Sequence, residues 1–388
     1  MGAVAVGAVA VVAAAAAVPA DPLSLQKVRT ASFSRTGERS MELEQRTLGR
    51  TGLHVMNLGF GGIPIQRVSE EDAVKVVRRC YEMGINFYDT ARNYTTSEER
   101  IGKALAGVRD RVVIATKSGR RTRQEVMVEL ETSLGNLQSD YVDIYQLHNV
   151  ASEETWAKVS GPGGALEALR AAKEQGKARF LGITSHAPSL LAKILQECDA
   201  FDTVMVPYNY MALVPAQEAL PLCRELNIGT VIMKPFAGGI FSDAQTALKW
   251  TLGDRYSDVV IPGMMSIAEV EENVALAGGS YELTPAEWKL IGQDKRDLGT
   301  DYCRGCDYCQ PCPQGIPISF VLRAEKGFMK RMGWPERLDK QFREAIPKVE
   351  SCIHCGDCAS RCPYHLDIPE LLPAKVASLL ARVERGDY

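Results

Sequence analysis

SEEDAVKVVRRCYEMGINFYD, residues 69–89, holds one helix and one strand end to end. Ala73, Val74, Val76, Val77, Cys80 and Met83 recur near every 3.6 residues, which marks one apolar face of a helix. Ser69 supplies an N-cap and Gly84 a stop. The uncharged run that follows ends in Asp89. The same unit then repeats. VMNLGFG, INFYD, VVIATK, VDIYQLH, RFLGITS, TVMVPYN, TVIMKP and DVVIPG are short apolar runs, and helical patterns such as TRQEVMVELETSLGNL, GGALEALRAAKEQG and SIAEVEENVALAG lie between them. Several of the runs are β-branched and unbroken by charge, as strands covered on both faces are. Eight strand-then-helix units between residue 55 and about 275 predict an α/β fold in which parallel strands, joined by helical crossovers, close as a (β/α)8 TIM barrel. A doubly wound open sheet is the alternative, weakened because no G-x-G-x-x-G opens the first unit.

Residues 41–295 are read as this barrel, with 283–302 as a link, and 296–388 as a small α-helical module. Helical periodicity runs through 316–350, with a break near Gly333-Trp334-Pro335, and returns in IPELLPAKVASLLARVERG. The chain has 388 residues, a net charge of −3, and 46% apolar and 24% charged residues, so no basic field argues for nucleic acid. Residues 1–20 carry no charge, and three readings of the segment 1–40 stay open: a signal peptide, an organelle transit peptide, or a disordered or processed tail. Past residue 20 no apolar run approaches the ~20 residues a membrane span needs. No membrane partner is expected, and the expected location is cytoplasmic, with organelle targeting left open.

Eight of the eleven cysteines fall in two runs. The first is Cys303, Cys306, Cys309 and Cys312; the second is Cys352, Cys355, Cys358 and Cys362; a proline follows each. The second run has the C-x2-C-x2-C-x3-C-P spacing of a cubane [4Fe–4S] ligand set. Structural zinc is the alternative, but zinc sites are built from two separated C-x2-C pairs. Two [4Fe–4S] clusters are therefore expected. In two-cluster ferredoxins the fourth cysteine of each run serves the other cluster. That predicts Cys303, Cys306, Cys309 and Cys362 around one cube, and Cys352, Cys355, Cys358 and Cys312 around the other. Cys80, Cys198 and Cys223 lie in helical patterns and are read as core residues.

In a (β/α)8 barrel, functional groups gather at the C-terminal ends of the strands. Those ends carry Asp89 with Tyr94 beyond it, Lys117, His148, Ser185 with His186, and Lys234. A buried Lys117 needs a counter-ion, which Asp89 on the adjacent strand can supply. A cation beside Tyr94 favours its phenolate and makes the phenol a better proton donor to a carbonyl oxygen. His148 would orient the carbonyl or share the proton. Such a set lacks a reductant, which a nicotinamide supplies as hydride. Tyr208 is read as packing near the cofactor ring or filling the barrel mouth, and Lys234 as contacting a pyrophosphate or pairing locally.

FYDTARNYTTSEERIGKAL, VVIATKS and DYVDIYQLHN together resemble the aldo-keto reductase family, and the whole-chain pattern resembles its subgroup with a C-terminal ferredoxin-like extension. The resemblance covers about 43–295. It implies a (β/α)8 barrel that reduces a small carbonyl, or oxidises an alcohol, with NAD(P)H. It places the catalytic tetrad on Asp89, Tyr94, Lys117 and His148. It also implies cofactor contacts from Ser185 and His186, where the family has Ser-Asn, and from Glu272 and Asn273 on the adenine. Met205 stands where the family has a Gln that grips the carboxamide, and Glu269 where members using NADPH carry an Arg. A carboxylate there repels a 2′-phosphate, so NADH is favoured over NADPH. The clusters imply a redox partner protein. A second possibility is an electron-transfer or redox-sensing protein on a catalytically altered barrel.

Overall fold

The computed structural model describes residues 43–299, 301–329 and 334–387; the segment 1–40 lies outside the described residues. The described residues form ten strands: β1 (Gln45–Thr47), β2 (His54–Met56), β3 (Phe60–Gly61), β4 (Phe87–Asp89), β5 (Val113–Ser118), β6 (Val142–Leu147), β7 (Ala178–Thr184), β8 (Thr203–Pro207), β9 (Gly229–Met233) and β10 (Val259–Ile261). β3 to β10 run parallel in sequence order. The two edges meet through parallel bridges Leu58–Val260 and Gly61–Gly263, with Gly59 N–H donating to Val260 O at 2.8 Å. The sheet therefore closes as a barrel, and the open-sheet alternative falls.

The helix Glu70–Glu82 forms as its sequence predicts. Ser69 Oγ accepts from Asp72 N–H at 3.1 Å, and Ala73, Val76, Val77 and Cys80 are buried. Strand residues alternate between two layers, as a pleated strand requires. Phe87, Val113, Ala115, Ile144, Met205, Val231, Val259 and Ile261 fill the barrel interior, and Tyr88, Ile114, Tyr145, Val204 and Val206 pack outward against the helices. The β1–β2 hairpin adds Leu48, Leu53 and Val55 to the interior cluster.

The stretch read as a link contains a helix, Pro285–Leu298, opened by a Thr284/Glu287 capping box. Its Ile291 and Leu298 pack with Tyr210 and Phe241 of the barrel, so barrel structure runs beyond residue 295. The cysteine module follows as helices Ile318–Arg323, Glu336–Glu350, Asp357–Ser360 and Ile368–Arg385, with a π-helical turn at Ala324–Met329. Its own core includes Ile318, Phe342, Leu372 and Leu379. Residues 41–388 pack as one compact unit.

Candidate functional site

Strand parity builds the pocket. Asp89, Lys117 and Gln146 lie on the inward alternation of β4, β5 and β6, continuing Phe87, Ala115 and Ile144 toward the mouth, and His148 continues the same parity just past β6. Lys117 Nζ donates to Asp89 Oδ1 at 2.6 Å and to Thr90 O at 2.7 Å. Both side chains are buried, with Lys117 1% and Asp89 3% exposed. Burial opposes the charge on Lys117, but Asp89 and Tyr94 outweigh it and hold the ammonium above its ordinary pKa. Lys117 Nζ lies 4.9 Å from the Tyr94 ring centroid, and the His148 ring stands edge-on to Tyr94 at 5.8 Å. The four side chains expected to act together therefore share one pocket.

Burial, then the charges of Lys117 and Arg121, drive His148 down to about 3. It is a neutral imidazole near pH 7, with Nδ1 buried and without a hydrogen-bond partner. Sequence reasoning missed three supporting groups. Gln146 Nε2 donates to Asp89 Oδ2 at 3.3 Å. Arg121 Nη2 donates to the carbonyls of His148 and Asn149 at 3.0 and 3.1 Å. Glu98, buried on the helix Ser97–Ala104, accepts from Thr116 Oγ1 at 2.7 Å and pairs with Arg92. Parity alone would have found Gln146, two residues before His148.

The residues expected to hold a nicotinamide are placed less uniformly. Tyr208 does not line the mouth. It has the outward parity of Val204 and Val206, is 2% exposed, and its hydroxyl donates to Asp254 Oδ2 at 2.9 Å. Ser185 is buried, and its hydroxyl donates to Val150 O at 2.7 Å, so its one proton is spent inside the loop. His186 turns to the cysteine module, where Nδ1 lies 3.3 Å from Gly305 O. Met205 fills the barrel interior. Lys234 follows β9 at the same rim, with its carbonyl accepting from Asn209 Nδ2 at 3.0 Å. Glu272 and Asn273 lie on the helix Ile267–Ala277, where Glu272 is exposed and accepts from Gln245. Glu269 caps that helix: its Oε2 accepts from the N–H groups of Met265 and Ser266 at 2.7 and 3.2 Å. Ser185, His186 and Met205, so placed, do not fit a carboxamide grip, whereas the clustered Asp89, Lys117, Tyr94 and His148 fit proton transfer.

The eight module cysteines line two cavities. Cys303, Cys306, Cys309 and Cys362 surround one; Cys312, Cys352, Cys355 and Cys358 surround the other. Each cavity takes three thiols from one run and one from the other, as the crossed pairing requires. Burial, then neighbouring thiols, push Cys306 up to about 11. Thiols gathered this closely become thiolates together only around a strongly positive centre. Gly305 N–H donates to Cys303 Sγ at 3.4 Å. Arg361 ties the runs together, donating to the carbonyls of Cys309, Gln310 and Pro311 at 3.2, 3.3 and 3.0 Å.

The first cavity faces the barrel. Tyr302 Oη donates to Ala237 O at 3.0 Å, Arg304 Nε to Met211 O at 3.2 Å, and Tyr308 Oη to Ser189 Oγ at 2.8 Å. Arg304 and Tyr308 sit between the cysteines and Tyr302 just before them, where nothing in the sequence marks them as docking residues. The second cavity is the outer one: Cys355 is exposed, and Ile353 beside it is 61% exposed.

A parallel barrel with an acid–base pocket at its mouth, followed by paired cysteine cavities, defines an oxidoreductase. Residues 56–246 match the Aldo/keto reductase family, and residues 302–367 match the 4Fe-4S dicluster domain. The chain is 29% identical to L-galactose dehydrogenase from Arabidopsis thaliana over 306 residues, 66% of this chain and 92% of that protein. It is 29% identical to probable aldo-keto reductase 1 from Glycine max over 219 residues, 52% of this chain and 61% of that one. The holo form of aldo-keto reductase AKR11C1 from Bacillus halodurans superimposes with a TM-score of 0.57 and 26% identity, covering 65% of this chain and 96% of its own. The chain thus carries an Aldo/keto reductase domain followed by a C-terminal 4Fe-4S dicluster domain. Among the described residues, no helix is long and apolar enough to cross a membrane.

Proposed function

We propose that the barrel reduces a small aldehyde or ketone, or oxidises the corresponding alcohol, with Tyr94 as the proton donor and acceptor. The observation that carries this reading is the buried contact of Lys117 with Asp89 beneath the Tyr94 ring. Tyr94 gives its phenolic proton to the carbonyl oxygen, and Lys117 stabilises the phenolate left behind. Asp89, steadied by Gln146, keeps Lys117 charged and aimed. His148, neutral, can hold the carbonyl oxygen through an N–H without competing as the acid. A nicotinamide, when bound, supplies hydride to the carbonyl carbon. Glu272 and Asn273 are the residues proposed to meet its adenine end. Lys234 is proposed to lie near its phosphates.

Adding NADH or NADPH to anaerobically purified protein, while following nicotinamide fluorescence and cluster absorbance, tests this. Binding of neither nucleotide overturns it. NADH is expected to bind more tightly than NADPH, because Glu269 occupies the helix N-terminus that would otherwise attract a phosphate. Glu269→Arg should move the ratio of the two dissociation constants on the order of tenfold toward NADPH, about 1.4 kcal/mol. Using the ratio cancels any loss of the helix cap common to both nucleotides.

The module is proposed to hold one [4Fe–4S] cluster in each cavity. About eight irons and eight sulfides per chain are expected, four of each per cube. Cys306→Ser and Cys362→Ser should remove the same cluster, and Cys312→Ser and Cys355→Ser the other. Iron content and EPR of the four variants check the pairing. The exposed Cys355 side is the proposed point of exchange with a redox partner protein, in a reducing compartment such as the cytoplasm. The second possibility, an electron-transfer or sensing protein on an altered barrel, is favoured by one observation: His186 has left the carboxamide position for the cluster loop.

A further inference from the structure

His186 stands at the tip of β7, one residue past Ser185, and its ring crosses from the barrel to the cysteine module. Nδ1 lies 3.3 Å from Gly305 O, and a carbonyl only accepts, so Nδ1 carries the proton. Gly305 is the residue whose own N–H donates to Cys303 Sγ at 3.4 Å. Three features fix that glycine. Its φ is +70°, a conformation L side chains rarely adopt. A Cβ placed on it would lie 2.4 Å from Arg323 Nη1. The imidazole of His186 holds its carbonyl. Two hydrogen bonds through one residue therefore connect the rim of the carbonyl pocket to a thiol of the barrel-side cavity. The imidazole is buried, and Lys234 and His148 from the barrel and Arg323 from the module all act on it.

Hydrogen bonds to ligand sulfurs stabilise the reduced, more negative cluster and raise its potential. We propose that His186 is a positioning residue for the barrel-side cluster, holding Gly305 so that its N–H stays on the Cys303 sulfur. The potential of that one cluster is thereby set from the barrel. The position that grips the hydride carrier in related barrels is used here to tune the electron carrier. The proposal rests on the two-cluster reading above. His186 becomes the element through which an occupant of the pocket and the cluster's oxidation state affect one another, and such an effect is reciprocal.

The test is an EPR-monitored redox titration of the full chain purified anaerobically, as wild type, His186→Ala and His186→Asn. Cys355→Ser identifies the outer cluster's signal by its loss. His186→Ala should make reduction of the barrel-side cluster at least tenfold harder, a downward shift of 59 mV for one electron, and leave the outer cluster where it was. Asn places an amide donor where Nδ1 stands, and should recover most of the shift. Two cubane signals that both stay put in His186→Ala, or that move together by equal amounts, overturn the proposal while leaving the clusters intact. A wild-type chain with no cubane signal overturns the cluster reading and this proposal with it. If His186→Ala does not retain its iron, the comparison of His186→Asn with wild type decides: a barrel-side potential within a few-fold of wild type supports the proposal, and equal displacement of both clusters overturns it.

Discussion

Tyr94→Phe should lower turnover by roughly 10²–10⁴-fold, the usual worth of a positioned general acid. That corresponds to about 3–5 kcal/mol of barrier. The substitution removes one oxygen and keeps the ring, so the contacts with the Lys117 ammonium and the edge of His148 persist. Nucleotide affinity and iron content should stay at wild-type levels. The measurement is the rate of nicotinamide oxidation with a panel of small aldehydes and ketones, beside a fluorescence titration of nucleotide binding. A variant that turns over as fast as wild type removes Tyr94 from the chemistry. A variant that loses nucleotide binding as well points to a structural role instead.

Lys117→Met should be the most damaging single change to the barrel. The ammonium sits 2.6 Å from Asp89 in a pocket closed to water, and it also satisfies Thr90 O. Methionine matches the stem but leaves the carboxylate buried without its cation. Removing one partner of a buried pair costs about 3–5 kcal/mol. The check is the urea midpoint of Lys117→Met against wild type and against Lys117→Met/Asp89→Asn. The double variant should recover much of the loss, because a neutral amide no longer requires a counter-ion, while activity should stay absent. A single variant as stable as wild type would show that the pair contributes little to the fold.

The barrel was legible because each unit announces itself twice, by a helical stripe and by an apolar run. The pocket was legible for a related reason: Asp89, Lys117 and His148 are polar residues placed where apolar runs end. Tyr208 directly follows β8, a place that by itself suggests the barrel mouth. Its parity with Val206 sends the ring outward, where Asp254 takes its hydroxyl. Ser185 shows the limit from the other side, since a hydroxyl in the right place can still be consumed by its own loop. The helix Pro285–Leu298 stands within the stretch that reads as a link, and Thr284 and Glu287 are its capping box. What no spacing rule reveals is docking. His186, Tyr302, Arg304 and Tyr308 are distant in sequence from the groups they meet, and their pairing exists only once barrel and module pack together.

The module's anchors fall on one arc of the rim, at His186, Ser189, Met211 and Ala237. Those segments cannot drift in evolution without unseating the iron–sulfur half. Any selection acting on what the barrel accepts is therefore expected to leave these late loops untouched.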